Sequence, residues 1–392
     1  MGEDGPGFHH AARSPHACVT GLVMKTLSDR LISLCGYLII ALGTIPAAHS
    51  ESVIVGVNVV NPQRLSSAGR EAVLDQLKTA GVRIIRAPLA PPWGGDDYGP
   101  AIDFIRRAYE RGIKTDLLVW LQYREGARRR PAIKELPNMW PSYPLSAADA
   151  GRFQDVFEPL FKQLEGLGVT FAALELGNEI NWTAFNGEFP IPGEGRVFGQ
   201  TDLAHDPDLT KVAEGYSAYM RTLSVLKDIR DHSRLNRETP ILSAGLADPG
   251  PAGPRPGSKT DAVTISATLE YLRAKGIDRL VDAYGVHTYP SVKGGAPSRL
   301  DRLEHDTLVE CRPPGQGKPC WLTEWGLSAG EAACSGNDGP RASLMREMLG
   351  DLRQFVGDGR LKGLIYYAWA DDKYGIYRCG SLTESGRLAL VH

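Results

Sequence analysis

The sequence predicts an α/β protein, a single (β/α)8 barrel with long loops after its third and fourth strands. Three observations lead there. Apolar β-rich runs alternate with helix-period segments eight times, the pattern of parallel strands joined by crossover helices. Setting aside residues 1–50, which do not read as fold, takes the 392-residue chain to 342, within the roughly 200 to 400 residues such barrels occupy. No repeat or low-complexity tract competes with that reading.

The N-terminal segment divides in two. Residues 1–23 read as an upstream extension of the reading frame and Met24 as the true start. Residues 24–50 read as a signal peptide: Met24 and Lys25 open a polar region, Leu31 to Pro46 is mostly apolar, and Ala48-His49-Ser50 resembles a small-residue cleavage site. The apolar run is short for a membrane span, which needs roughly 20 residues; an uncleaved signal anchor is the alternative. Leu34 before Cys35 argues against lipoprotein processing. The expectation is a secreted or periplasmic domain over 51–392, monomeric and without membrane contact after cleavage. A net charge of −2 gives no reason to propose a nucleic-acid partner.

The elements follow in order. Residues 53–59 form the first strand. Residues 69–81 read as a helix, with Val73, Leu74 and Leu77 on one face and Gly81 as its stop. Residues 82–89 make strand two, 101–112 the next helix and 113–120 strand three. A loop rich in Pro, Arg and Trp spans 121–148, and a helix runs from 149 to 168. Residues 169–179 are strand four, followed by a long loop over 186–208 and a helix over 208–230. Strand five is 240–247, strand six 281–289, strand seven 320–325 and strand eight 361–369. Helices over 261–275, 299–309 and 341–356 separate them, and only a short tail is expected after strand eight.

Two strand ends carry carboxylates, Leu-Gly-Asn178-Glu179 on strand four and Leu-Thr-Glu324-Trp325-Gly on strand seven. The strand C-termini form the functional face of such a barrel, and site residues come from several strands. Three steps around a ring of eight place Glu179 and Glu324 nearly opposite each other across its mouth. Two carboxyl groups flanking one sugar ring are what cleavage of a glycosidic bond requires. Glu175 shares the parity of Glu179, so it points inward below the site as a buried carboxylate needing a partner.

These residues, taken in order over most of 53–371, resemble glycoside hydrolase clan A, the retaining (β/α)8 glycosidases that include families 5 and 39. The resemblance implies an acid/base at Glu179, preceded by Asn178, and a nucleophile at Glu324. It implies an Arg on strand two (Arg86), a His-x-Tyr on strand six (His287, Tyr289) and a Trp ending strand eight (Trp369). Ile180-Asn181 replaces the Pro common after the acid/base in family 5, so that family's specificities are not implied. Physically, Arg86 and Tyr289 are placed to bond the Glu324 carboxylate, and His287 to orient Glu179. Asn178 suits a sugar 2-hydroxyl, and Trp369 offers a flat face for the sugar. The activity implied is hydrolysis of β-linked oligo- or polysaccharides without a cofactor. Two other readings use the same residues: a glucan transglycosylase and a non-catalytic glycan-binding barrel.

Further aromatics fall in loops on the same face, among them Trp93, Tyr123, Trp140, Trp182, Phe185, Tyr374 and Tyr377. They suit either sugar stacking, with Trp182 and Trp93 favoured, or loop packing. Arg124, Arg128, Arg129 and Arg130 read as a solvated charge run, with an anionic-glycan contact as the alternative. Asp248, ending strand five, suits a turn or a subsite. No cysteine pair has zinc-type C-x2-C spacing, so no metal is expected. Cys311 and Cys320 flank the entry to strand seven on one face of the barrel, and Cys334 and Cys379 follow strands seven and eight on the other. A five-residue strand separates the faces by roughly 17 Å, beyond disulfide reach, so the expected pairs are Cys311–Cys320 and Cys334–Cys379.

Overall fold

The computed structural model describes residues 53–391 apart from 93–94, 135, 137–138, 140, 291–294, 329–337 and 372. The leader segments, Trp93, Trp140 and Cys334 lie outside the described residues. Eight parallel strands form one sheet: β1 (Ile54–Asn58), β2 (Ile84–Leu89), β3 (Lys114–Val119), β4 (Ala173–Leu176), β5 (Ile241–Leu242), β6 (Tyr284–Thr288), β7 (Cys320–Trp325) and β8 (Leu361–Tyr366). The sheet runs from β5 through β4, β3, β2, β1, β8 and β7 to β6. Bridges Leu242–Ala283 and Leu246–Val286 bring its two ends together, so the barrel nearly closes.

Besides a short helix in the loop after β4 (Gln200–His205), the α-helices are α1 (Ser67–Thr79), α2 (Gly99–Glu110), α3 (Ala150–Gly166), α4 (Thr210–Asp231), α5 (Ile265–Ala274), α6 (Gly295–Arg302), α7 (Gly339–Gly357) and α8 (Glu384–Ala389). Their starts are written in the sequence: Ser66, Asp149, Thr264 and Thr383 each accept a backbone N–H from the first turn of α1, α3, α5 and α8. Among the described residues no helix is long and apolar enough to cross a membrane.

The barrel interior holds Ala173, Leu242, Ala283, Trp321 and Ile365 in contact, the layered filling such barrels use in place of a pore. Trp321 fits because position 363 is glycine; a Cβ there would run into the indole. Cys311 and Cys320 are disulfide-bonded, with Cα atoms 5.4 Å apart, tying the first residue of β7 to the segment before it. Cys379 is also disulfide-bonded.

Three elements differ from expectation. β5 has two residues instead of eight, because side chains take over its hydrogen bonds: Ala244 N–H donates to the Tyr219 hydroxyl (2.9 Å) and Gly245 N–H to Glu175 (2.8 Å). The loop after β4 has structure of its own, with Arg196–Phe198 paired to Gly253–Pro254 and Ala262–Val263. The segment after β8 is a two-strand ribbon (Tyr377–Arg378 with Ser381–Leu382) and then α8, whose Thr383 cap the sequence reading passed over.

Candidate active site

Arg86 of β2 lies at the centre of the barrel mouth, 3% exposed. Register sets its neighbours, since Asn58 of β1 and Asp116 of β3 pair with it across the sheet. Its guanidinium donates to Glu175 through Nε (2.5 Å) and Nη2 (3.0 Å), to Asn178 Oδ1 (2.8 Å), to Asn58 Oδ1 (3.0 Å) and to Glu324 Oε1 (2.6 Å). Burial alone would weaken its charge, but the Glu175 and Glu324 carboxylates more than offset that and raise its pKa. Glu175 is fully buried and also accepts from Gly245 N–H, so its charge is compensated. The Tyr289 hydroxyl donates to Glu324 Oε2 at 2.5 Å. Burial and the Glu324 charge push Tyr289 well up, which keeps it a donor.

Glu179 stands just past the end of β4. Gly177 (φ 79°) turns the chain there, and Glu179 itself sits at φ 43°, a conformation costing a non-glycine residue about 1–2 kcal/mol. Its N–H to Gly245 O hydrogen bond (2.7 Å) holds it there. Its Oε1 lies 2.9 Å from His287 Nδ1, and His287 Nε2 lies 3.1 Å from Thr323 Oγ1. Thr323 in turn donates to Glu175 Oε1 (3.2 Å). Gly245 makes this approach possible, since a Cβ there would overlap the His287 ring. One oxygen of Glu179, one of Glu324 and a ring nitrogen of His287 all fall within 4.8 Å of each other. That set of two carboxylates and an imidazole has the donor types for a divalent cation, but both carboxylates are committed to Arg86, Tyr289 and His287.

Burial raises both glutamates, and their hydrogen-bond partners distinguish them. Burial raises Glu179 and the nearby Glu324 charge adds to the rise; His287 opposes it only when its ring is charged or donates from Nδ1 to the carboxylate. Burial also raises Glu324, against the Arg86 charge and the Tyr289 hydrogen bond. Burial lowers His287, which favours a neutral imidazole. The Arg86 charge favours the ionised form of both, but only Glu324 is hydrogen-bonded by that guanidinium and by a tyrosine hydroxyl.

A cleft of about 830 Å3 opens over Glu324, Arg86 and Asn178 on the β1–β3 flank. Tyr98, Trp120, Tyr123, Tyr143, Phe185 and Tyr367 supply aromatic faces to its lining. Trp182 is half-buried behind that wall, its ring 6.4 Å from Phe185. Trp369 requires a correction. It is 1% exposed, stacks on Tyr377 at 4.9 Å and points Nε1 at Gln76 (3.4 Å), so no face is left for a sugar. β8 ends at Tyr366, and Tyr367 is the residue that reaches the cleft, packed against Tyr289 (5.8 Å). Arg130 is also not part of a solvated run. It is half-buried and donates to the carbonyls of Thr183 (2.8 Å) and Phe189 (2.9 Å). Asp248 accepts from Arg302 and Thr307, each at 2.8 Å, and from Gly250 N–H, so it serves as an anchor for that turn.

Asn58 and Thr323 were missed by the sequence reading. Asn58, ending the apolar run of β1, carried the signal of a polar strand end; Thr323 read as an ordinary strand residue. Asp116 was missed as well: it is fully buried, and among the described residues neither carboxyl oxygen has a hydrogen-bond partner.

The fold is similar to that of an endocellulase from Pyrococcus horikoshii solved with cellotetraose (TM-score 0.50, 13% identity, 86% of this chain and 92% of that one). It is also similar to a β-glucosidase from Thermotoga maritima in complex with cyclophellitol (0.49, 11%, 86% and 96%). A third similar structure is the catalytic domain of GH30 xylanase C from Talaromyces cellulolyticus (0.48, 13%, 86% and 75%). What these share with the chain is the (β/α)8 barrel. No family model matches the sequence, and no curated protein matches it.

Proposed function

We propose that this protein is an exported retaining β-glycosidase, with Glu324 as nucleophile and Glu179 as acid/base. The observation that carries the proposal is the asymmetric environment of two carboxylates whose nearest oxygens lie within 4.8 Å. That proximity is compatible with the roughly 5–5.5 Å between the carboxyl groups of retaining pairs. Glu324, bonded by Arg86 and Tyr289, attacks the anomeric carbon as the bond to the leaving oxygen breaks. Glu179 gives that oxygen its proton. Glu179 then takes a proton from water, whose oxygen displaces Glu324 from the sugar.

A chain of hydrogen bonds supplies the proton on Glu179. Glu175 can only accept, so the Thr323 hydroxyl donates to it and Thr323 Oγ1 receives His287 Nε2–H. A neutral imidazole then turns the bare Nδ1 toward Glu179, which must bring its own proton to that contact. Asn178, with Oδ1 held by Arg86, keeps its amide nitrogen for a sugar hydroxyl.

The aromatic wall of the cleft supports the second reading, a transglycosylase in which a sugar hydroxyl replaces water. Product lengths at high substrate concentration separate the two. For the main reading the test is anomeric configuration by NMR in the first minutes of reaction, where the β product is expected. Glu324→Gln abolishing turnover, and Glu179→Gln losing roughly 10²–10⁴-fold on unactivated substrates while azide speeds its turnover of an activated dinitrophenyl glycoside, complete it. An α product, or full activity in Glu324→Gln, overturns it. Export rests on the leader-like run and the Cys311–Cys320 disulfide; fractionation of cells expressing the full chain tests it.

A further inference from the structure

We propose that the cleft takes an acidic glycan, one whose sugar units carry carboxylates, with the charge read by Arg124, Arg129 and Arg152. This rests on the glycosidase reading and names its substrate class. All three arginines stand on the exposed rim of the cleft and line it. Among the described residues none of the three forms an ion pair, so their charge is not neutralised within the chain.

Two of the three are held in position. Arg129 lies over the Tyr143 ring at 4.9 Å, and that ring stacks on Tyr123 at 4.4 Å. Arg124 Nη1 donates to Ser146 O (3.1 Å) and its backbone N–H to Ala147 O (2.9 Å). The neighbouring Arg130 ties this loop to the segment after β4 through Thr183 and Phe189. Arg152 projects from the first turn of α3, a helix start capped by Asp149. Beyond Glu324 the lining contains two carboxylates, Asp96 and Glu125, both exposed, so the arginines outnumber them.

A neutral glycan needs hydroxyl partners and aromatic faces, and the cleft wall has these. It has no use for uncommitted guanidinium forks, whose planar donor pairs match carboxylates. Fixed cations beside aromatic platforms therefore fit a chain of uronic acid units.

The test compares matched pairs on the full-length protein: a β-1,4-linked glucuronate oligomer with its carboxyl-reduced cello-oligosaccharide, and a β-1,4-linked mannuronate oligomer with the corresponding manno-oligosaccharide. Binding is measured by calorimetry, and turnover beside it. The acidic member of at least one pair binds about tenfold tighter at about 50 mM NaCl, and that ratio falls toward one at about 500 mM. The ratio collapses in the combined Arg124→Gln, Arg129→Gln and Arg152→Gln variant and persists in Arg128→Gln, a residue of the same loop outside the lining. Equal or tighter binding of the neutral member in both pairs overturns the proposal, as does a salt-independent ratio, which needs no variant to fold. Turnover decides the glycosidase reading separately: preferential binding of the acidic oligomer with hydrolysis of neither member of any pair refutes that reading alone.

Discussion

The Thr323–His287–Glu179 relay predicts that a hydroxyl making no contact with the sugar sets the upper end of the pH range. Thr323→Val keeps shape and burial but removes Oγ1, which His287 Nε2 reaches at 3.1 Å. The Nε2 proton then has no acceptor, and the imidazole changes to the tautomer with its proton on Nδ1. That proton now points at Glu179 Oε1 and stabilises the carboxylate, where the wild-type ring stabilised the acid. One hydrogen bond exchanged in this way is worth about 1–1.5 kcal/mol, or roughly one unit of pKa. Activity falls as pH rises through the Glu179 pKa, because the acid must be protonated to act. The basic limb of kcat/KM, which reports the free enzyme, therefore moves about one unit lower in Thr323→Val. Thr323→Ser, which keeps the hydroxyl, leaves the limb in place. The profile is measured with an unactivated glycoside and with a dinitrophenyl glycoside, whose departure needs no proton; only the first shows the shift in glycosylation. An unmoved basic limb in a Thr323→Val protein that melts like wild type would refute the relay.

Three further outcomes follow from the barrel interior and its entry. Burial and the Glu175 charge raise Asp116 well above 3.8, so the folded state holds this proton more tightly than the unfolded chain. Stability from this group is complete below 3.8 and lost as pH rises toward the folded pKa. Melting curves of Asp116→Asn therefore lose less between pH 4 and pH 8 than wild type, and parallel curves would refute the assignment. Replacing Cys311 and Cys320 by serine opens a nine-residue separation and lowers unfolding free energy by roughly 2–3 kcal/mol in denaturant titrations; no loss would place the stabilisation elsewhere. Gly245→Ala drives a methyl into His287 and Thr323, costing about 1–3 kcal/mol of stability and roughly 10²-fold in kcat/KM by misplacing the ring. Wild-type kinetics in that variant would mean the segment after β5 yields freely.

How far the sequence reaches can be judged residue by residue. Eight strands could be counted because apolar β-rich runs and helix periods alternate, and that count places Glu179 and Glu324 on one rim. Parity then sends Glu175 inward. The reading fails where the chain leaves its period. Beyond Tyr366 the backbone departs from the pleat, so the Trp that the family resemblance implies at the end of strand eight, Trp369, turns into the core, and Tyr367 is the residue that reaches the cleft. β5 was overlong because Tyr219 and Glu175, from distant segments, take over hydrogen bonds that a strand partner would make. Thr323 and Asn58 matter through partners that local pattern does not specify. Arg130 looked like one more charge in a run because the carbonyls it serves are more than 50 positions away.

The hub at Arg86 also orders the assembly of the chain. Its partners lie 28, 89, 92 and 238 positions away, and loop-closure cost rises with that separation. Asn58, Glu175 and Asn178 are already present when a ribosome has made the first half of the barrel; Glu324 is not. Until β7 docks, one edge of the guanidinium stays wet and the barrel stays open beside a charge it cannot yet cover. The residue assigned to attack the sugar is therefore also the one that seals the interior. A Glu324→Gln protein prepared to trap a bound glycan is for that reason a folding variant too, and its yield and refolding rate belong beside its activity.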